Sequence, residues 1–170
     1  MSNTVDQDFE NIPLLTIHGF QVALKKEIGT LLDGMHLTDD SGNEVAFHGY
    51  EQQLPKLTED EDDISEFFPY YIVQVFTGSA ETDDDPWKTD VVIQLGIRDK
   101  GAENHGHIQL MSAIQKITDR FSDRPLLDNA FRADPKMSFE LLNEDTYPYF
   151  FAAVSLSFEV PRIGRGNELI

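Results

Sequence analysis

Between positions 16 and 32 the apolar residues Ile17, Phe20, Leu24, Ile28 and Leu31 recur every three or four positions, which predicts an amphipathic helix. Asp33-Gly34 supplies its C-terminal stop. Gly19 and Gly29 lower its intrinsic propensity, so packing has to hold it. A second stripe of Leu110, Ile114, Ile117 and Phe121 predicts a helix over 107–121. "SDRP" ends it, because Pro125 disfavours helical backbone at Arg124.

Elsewhere the period shortens to two. Strands are predicted over 70–77, 89–98, 136–142 and 149–160, with a short strand at Phe131. In 89–98, Val91, Ile93, Leu95 and Ile97 share one face, and Val92, Gln94, Gly96 and Arg98 the other. Strands 70–77 and 89–98 read as a hairpin with a long acidic loop, "GSAETDDDPW". Residues 35–47 read as a further hairpin around the turn formers "DDSGN". Residues 51–66 show no apolar period and read as a loop.

The order is helix, hairpin, hairpin, helix, hairpin. It predicts an α+β domain, an antiparallel sheet of about four main strands packed by two helices, plus an extra hairpin in the N-terminal half. A single domain is expected over 14–163, between a mobile arm (1–13) and a mobile tail (164–170). The opening residues lack a basic region and an apolar run, so no secretory leader is expected.

Charge changes this picture most. The 170 residues carry 31 acids against 13 bases, a formal −18. That balance disfavours binding nucleic acid by phosphate neutralisation, which needs clustered Lys and Arg. It suits a basic partner, or a surface that nucleic acid passes without sticking. The acids concentrate in two loops, one holding Glu59, Asp60, Glu61, Asp62 and Asp63, the other Asp83, Asp84 and Asp85.

Candidate chemistry is sparse. The absence of cysteine excludes disulfides, thiolate metal sites and a Cys nucleophile. Asp99, Glu103, His105 and His107 place carboxylate and imidazole close in sequence, as a divalent-metal site would need. His105 and His107 are two apart rather than at the i, i+4 spacing of a helical pair, and a polar loop is the simpler reading. His18 and His48 are lone histidines, read as structural or solvated. No nucleophile elbow, P-loop or dinucleotide fingerprint occurs, so no enzyme activity and no cofactor are expected.

What remains is surface. Tyr70, Ile72 and Phe76 alternate with Tyr71, Val73 and Val75, and Tyr149 and Phe151 oppose Phe150 and Ala152. Either helices cover both faces there, or Tyr70, Phe76, Tyr149 and Phe151 mark a subunit interface, where aromatic residues are enriched.

The run "FFPYYIVQVF", an acidic loop, "DVVIQLGIRD", a helix after "GHIQLM", and "YPYF" followed by "SFEVP" resembles tail completion, tail terminator or minor tail proteins of tailed phages and prophages. The likeness covers about 67–163, and its marks are structural rather than catalytic. It implies a non-enzymatic α+β subunit, without cofactor, in a homo-oligomeric ring, commonly a hexamer. The ring would cap the tail tube and dock a head-tail connector, with DNA passing through an acidic bore. The protein would sit in the tail or neck of the virion and in the host cytoplasm during assembly. The long insert at Glu59–Asp63 departs from the family pattern. A rival reading of the same charge is a DNA mimic that occupies the basic groove of a DNA-binding protein; against it, the acids sit in loops rather than along one face.

Overall fold

Thr16 begins the first helix, its hydroxyl accepting a hydrogen bond from the Gly19 backbone N–H at 2.9 Å. Helix α1 runs Ile17–Leu32 and ends at Asp33, with Gly34 at φ +90° just beyond it. The computed structural model describes residues 14–57, 64–103 and 105–163. Within these, the order is α1, β1 (Leu37–Thr38), β2 (Glu44–Val45), β3 (His48–Glu51), a 3₁₀ turn (Ile64–Phe67), β4 (Tyr70–Ser79), β5 (Trp87–Arg98), α2 (Gly106–Asp123), β6 (Leu126–Leu127), β7 (Phe131–Leu141) and β8 (Tyr149–Val160).

Strands β1 and β2 form their own small antiparallel ribbon. Its turn is built by Asp39, whose carboxylate accepts from the N–H groups of Ser41 and Asn43. The remaining strands form one sheet in the order β3-β4-β5-β8-β7-β6. All its pairings are antiparallel except β3 with β4, which is parallel. The α+β class holds, with the long strands β4, β5, β8 and β7 at the centre and short strands at each edge.

Both helices lie on one face. Phe20, Leu24, Ile28 and Leu32 of α1, with Leu110, Ala113, Ile114, Ile117 and Phe121 of α2, meet Tyr71, Val73, Val91, Ile93, Leu95, Val154, Leu156 and Phe158 of the sheet. Phe20 anchors this core, its ring 5.4 Å from that of Phe131 and 4.9 Å from that of Phe158. Ile17, expected in the helix stripe, is instead largely exposed one turn before the core begins. The two helix glycines were expected to need packing, and at Gly29 the reason is visible. The Tyr71 ring crosses between α1 and β3, donating its hydroxyl hydrogen bond to the Lys25 carbonyl at 2.8 Å. A Cβ at Gly29 would come within 2.7 Å of the Tyr71 hydroxyl oxygen, and one at Gly49 within 2.4 Å of the ring.

Several expectations need correction. Residues 51–66 are not all loop: β3 reaches Glu51, and a 3₁₀ turn spans Ile64–Phe67. The separate strands foreseen at Phe131 and 136–142 are one strand, β7, whose register shifts between Ala133 and Met137 around Pro135. Pro135 is accommodated by a bulge, at a point where β6 no longer pairs with β7.

Candidate interaction surface

The helix-free face of the sheet carries Tyr70 and Ile72 of β4, Asp90, Val92, Gln94 and Gly96 of β5, and Phe151, Ala153, Ser155 and Ser157 of β8, as the strand registers require. Its two ends differ in chemistry.

At the end where β4 begins, Phe68 follows the 3₁₀ turn directly, is joined to Pro69 by a cis bond, and lies over the sheet. Its ring is 4.9 Å from Tyr70, 4.8 Å from Tyr149 and 5.8 Å from Phe151. Gly96 makes room beneath. A Cβ there would meet the Tyr70 ring at 2.5 Å and the Phe68 ring at 2.9 Å. Phe67 packs edge-on against Tyr50 of β3, the register partner of Ile72. The aromatic residues at this end are therefore covered from within the chain, by a segment rather than by a helix. Tyr70 retains only 6% of its surface and has none to offer a partner, while Tyr149 and Phe151 are half-buried.

At the far end Phe76 is 75% exposed. It is the extra residue of a bulge, since Val75 pairs with Val91 while Thr77 already pairs with Asp90. Phe76 borders a shallow cleft with Asp90, Val92, Lys136, Ser138 and Ser155. Asp90 accepts hydrogen bonds from Ser157 Oγ at 2.5 Å and Thr77 Oγ1 at 2.9 Å. The Ser157 bond, then the Thr77 bond, with Lys88 and Lys136 nearby, hold its carboxyl below the usual range against a small opposing effect of burial.

Asp83 and Asp84 are exposed in the turn between β4 and β5. Asp85 is half-buried and structural: its carboxylate accepts from the Thr82 N–H at 3.1 Å. Arg162 fastens this turn, donating to the carbonyls of Asp85 and Thr82 and stacking 5.5 Å over the Trp87 ring. Glu59, Asp60, Glu61, Asp62 and Asp63 lie outside the described residues, as do 1–13 and 164–170. Ile64, where the described chain resumes, opens the 3₁₀ turn that precedes β4, whereas Asp83 follows its end. A ten-residue strand separates them, roughly 30 Å at ~3.3 Å per residue.

The histidine–acid group does not converge. Asp99 caps its own turn, accepting from the Gly101 N–H at 2.8 Å. His105 Nδ1 lies 3.4 Å from Glu103, and the His105 and His107 rings are 6.1 Å apart, edge to face. Among the described residues no group of three or more His, Asp or Glu side chains could hold a metal ion. His18 instead shares Glu51 with Lys25, at 2.8 Å and 2.7 Å, tying α1 to the edge strand β3. His48 opens β3 and donates its backbone N–H to the Pro69 carbonyl at 3.0 Å.

Sequence reasoning missed Gln52, which no local pattern singles out. At φ 64° it leaves β3, and its side-chain amide continues the pairing that the backbone abandons. Its Oε1 accepts from the Val75 N–H at 2.7 Å, and its Nε2 donates to the Val75 carbonyl at 3.2 Å. Gln21 of α1 braces it at 2.7 Å.

No protein-family model matches the chain, and no curated protein matches it either. No helix among the described residues is long and apolar enough to cross a membrane.

Proposed function

We propose that this chain is a non-enzymatic structural subunit of a phage or prophage tail, of the terminator or completion type. It works as a homo-oligomeric ring, of six copies in the commonest arrangement, that caps the tail tube and joins it to the head connector. Its place is the tail or neck of the virion, and the host cytoplasm during assembly. DNA passes through the ring's bore, which acidic side chains keep from adhering to phosphate.

The observation that carries the reading is the organisation of the sheet together with its strand marks. "FFPYY", "GIRD" and "YPYF" fall where Phe68, Gly96 and Tyr149 build one aromatic end of a helix-free sheet face. The other end presents Phe76 to solvent beside a polar cleft. One face is thus spent on the core and the other is left for contacts, which suits a subunit that must meet neighbours on two unlike surfaces.

The test is assembly on tail tubes. Purified protein added to tubes growing from their own tube protein should stop elongation and appear as a ring at one tip by electron microscopy. Phe76→Asp should weaken ring formation while leaving the thermal melt close to that of the parent. Tubes that elongate unhindered, with the protein remaining free, would sink the proposal.

A further inference from the structure

The two edges of the sheet are finished differently. On the β4 side, β3 and then the Gln52 amide occupy the backbone groups of Tyr71, Val73 and Val75. On the β7 side, β6 covers only Phe131 and Arg132, and the Ala133 N–H is taken by the Pro125 carbonyl at 2.7 Å. Beyond Pro135 nothing pairs with the outer side of β7 among the described residues.

The register fixes which groups point outward. The Leu142 N–H donates to the Phe151 carbonyl at 3.0 Å, so Leu142, Glu140 and Ser138 face β8. By the alternation of an antiparallel ladder, the N–H and C=O groups of Met137, Phe139 and Leu141 face away from the sheet. That set is symmetric about Phe139, which is itself 57% exposed.

We propose that this edge is a two-fold contact for a second copy of the chain, with β7 pairing antiparallel to β7 and Phe139 opposite Phe139. The register satisfies every outward backbone group of Met137, Phe139 and Leu141 at once. It sets Met137 opposite the other copy's Leu141 on the helix side. On the helix-free side it sets Lys136 opposite Leu142 and Ser138 opposite Glu140. Glu140 of each copy then lies diagonal both to Lys136 and to Glu140 of the other, so two Glu–Lys diagonals outweigh one Glu–Glu diagonal. The backbone and apolar groups are complementary to themselves, and the charged groups are net attractive. Being isologous, it closes at two copies and is separate from the head-to-tail contact of a ring. It stands whether or not the chain caps a tail tube.

The interface is small, so a weak dimer in the micromolar range is expected. Sedimentation of the full chain from about 1 to about 500 µM, with salt near 0.3 M to screen self-repulsion, should show monomers converting to dimers. Amide exchange at Met137, Phe139 and Leu141 should slow with concentration, while Ser138 and Glu140 stay unchanged. Phe139→Pro removes an outward N–H without removing an internal hydrogen bond, and should weaken dimerisation about tenfold or more with the circular dichroism spectrum retained. Phe139→Lys serves the same purpose if the proline variant does not fold. A monomer throughout the range would overturn the proposal, and so would dimers that survive these variants or form without protecting the outward amides.

Discussion

Arg120 is charged and only 9% exposed, and each of its three nitrogens makes a hydrogen bond. Nε donates to Glu27 of α1 at 2.6 Å, Nη1 to the Arg124 carbonyl at the end of α2, and Nη2 to the Leu126 carbonyl of β6 at 3.1 Å. One side chain therefore joins both helices to an edge strand. Arg120→Ala removes three part-buried hydrogen bonds and the link between the helices and β6, and should cost about 3 kcal/mol in urea unfolding. Glu27→Gln should cost only about 1 kcal/mol, because Glu27 stays partly solvated. Asp90 makes a pH-dependent contribution. Its carboxyl is held below its ordinary range by Ser157 and Thr77, so the folded state prefers it ionised. The stabilisation is fully present above the unfolded pKa of about 4 and is lost as pH falls through the lower folded value. Because the group is largely solvated, the effect is well under about 1 kcal/mol. Asp90→Asn should therefore be slightly less stable than the parent at pH 7, and the gap should close between about pH 4 and about pH 2. A gap that stays constant across that range would mean that the charge of Asp90 does not matter to the fold.

Among the elements, the edge strand β3 depends on a side chain more than on its own length. Gln52→Ala removes both hydrogen bonds to Val75 while leaving a residue at φ 64°, a conformation alanine adopts reluctantly. A loss of about 2 kcal/mol is expected, with the Val75 amide exchanging faster. If Val75 stayed as protected as in the parent, the Gln52 amide would not be what closes this edge. The reliance on tertiary partners also explains why β3 is illegible in sequence. "HGYE" has no alternation, and its parallel partner lies about twenty residues on, so nothing local marks it. β5 and β8 are legible because Val91 to Ile97 and Phe150 to Phe158 alternate without interruption and have one face buried under the helices. α2 is legible because Leu110, Ile114, Ile117 and Phe121 all meet the sheet. The aromatic surface was only half legible. Alternation tells which residues share a face, but not that Phe68 would fold back over Tyr70, since that depends on the missing side chain at Gly96. Phe76 was placed by alternation on the face of Tyr70 and Ile72, but its 75% exposure was not legible, because the bulge at Val75/Thr77 leaves no mark in the pattern.

For the whole molecule the charge of −18 can be tested through its two acidic runs. Asp83 and Asp84 are exposed in the turn between β4 and β5, while Glu59 to Asp63 lie outside the described residues. Replacing Glu59, Asp60, Glu61, Asp62 and Asp63 by their amides should leave stability within about 0.5 kcal/mol, as for surface changes that touch no packed group. The same should hold for Asp83→Asn with Asp84→Asn, because neither makes the hydrogen bonds through which Asp85 and Arg162 hold the turn. In assembled rings each set alone should slow DNA passage or raise DNA retention at low salt, and the combined change should exceed either, if both sets face the bore. Retention should fade as salt is raised towards about 0.5 M, where phosphate contacts are screened. If only one set alters retention, only that set faces the bore; if neither does, the acids act on something other than passing DNA. Loss of fold on neutralising Glu59–Asp63 would make that run structural and remove it from the repulsive surface altogether.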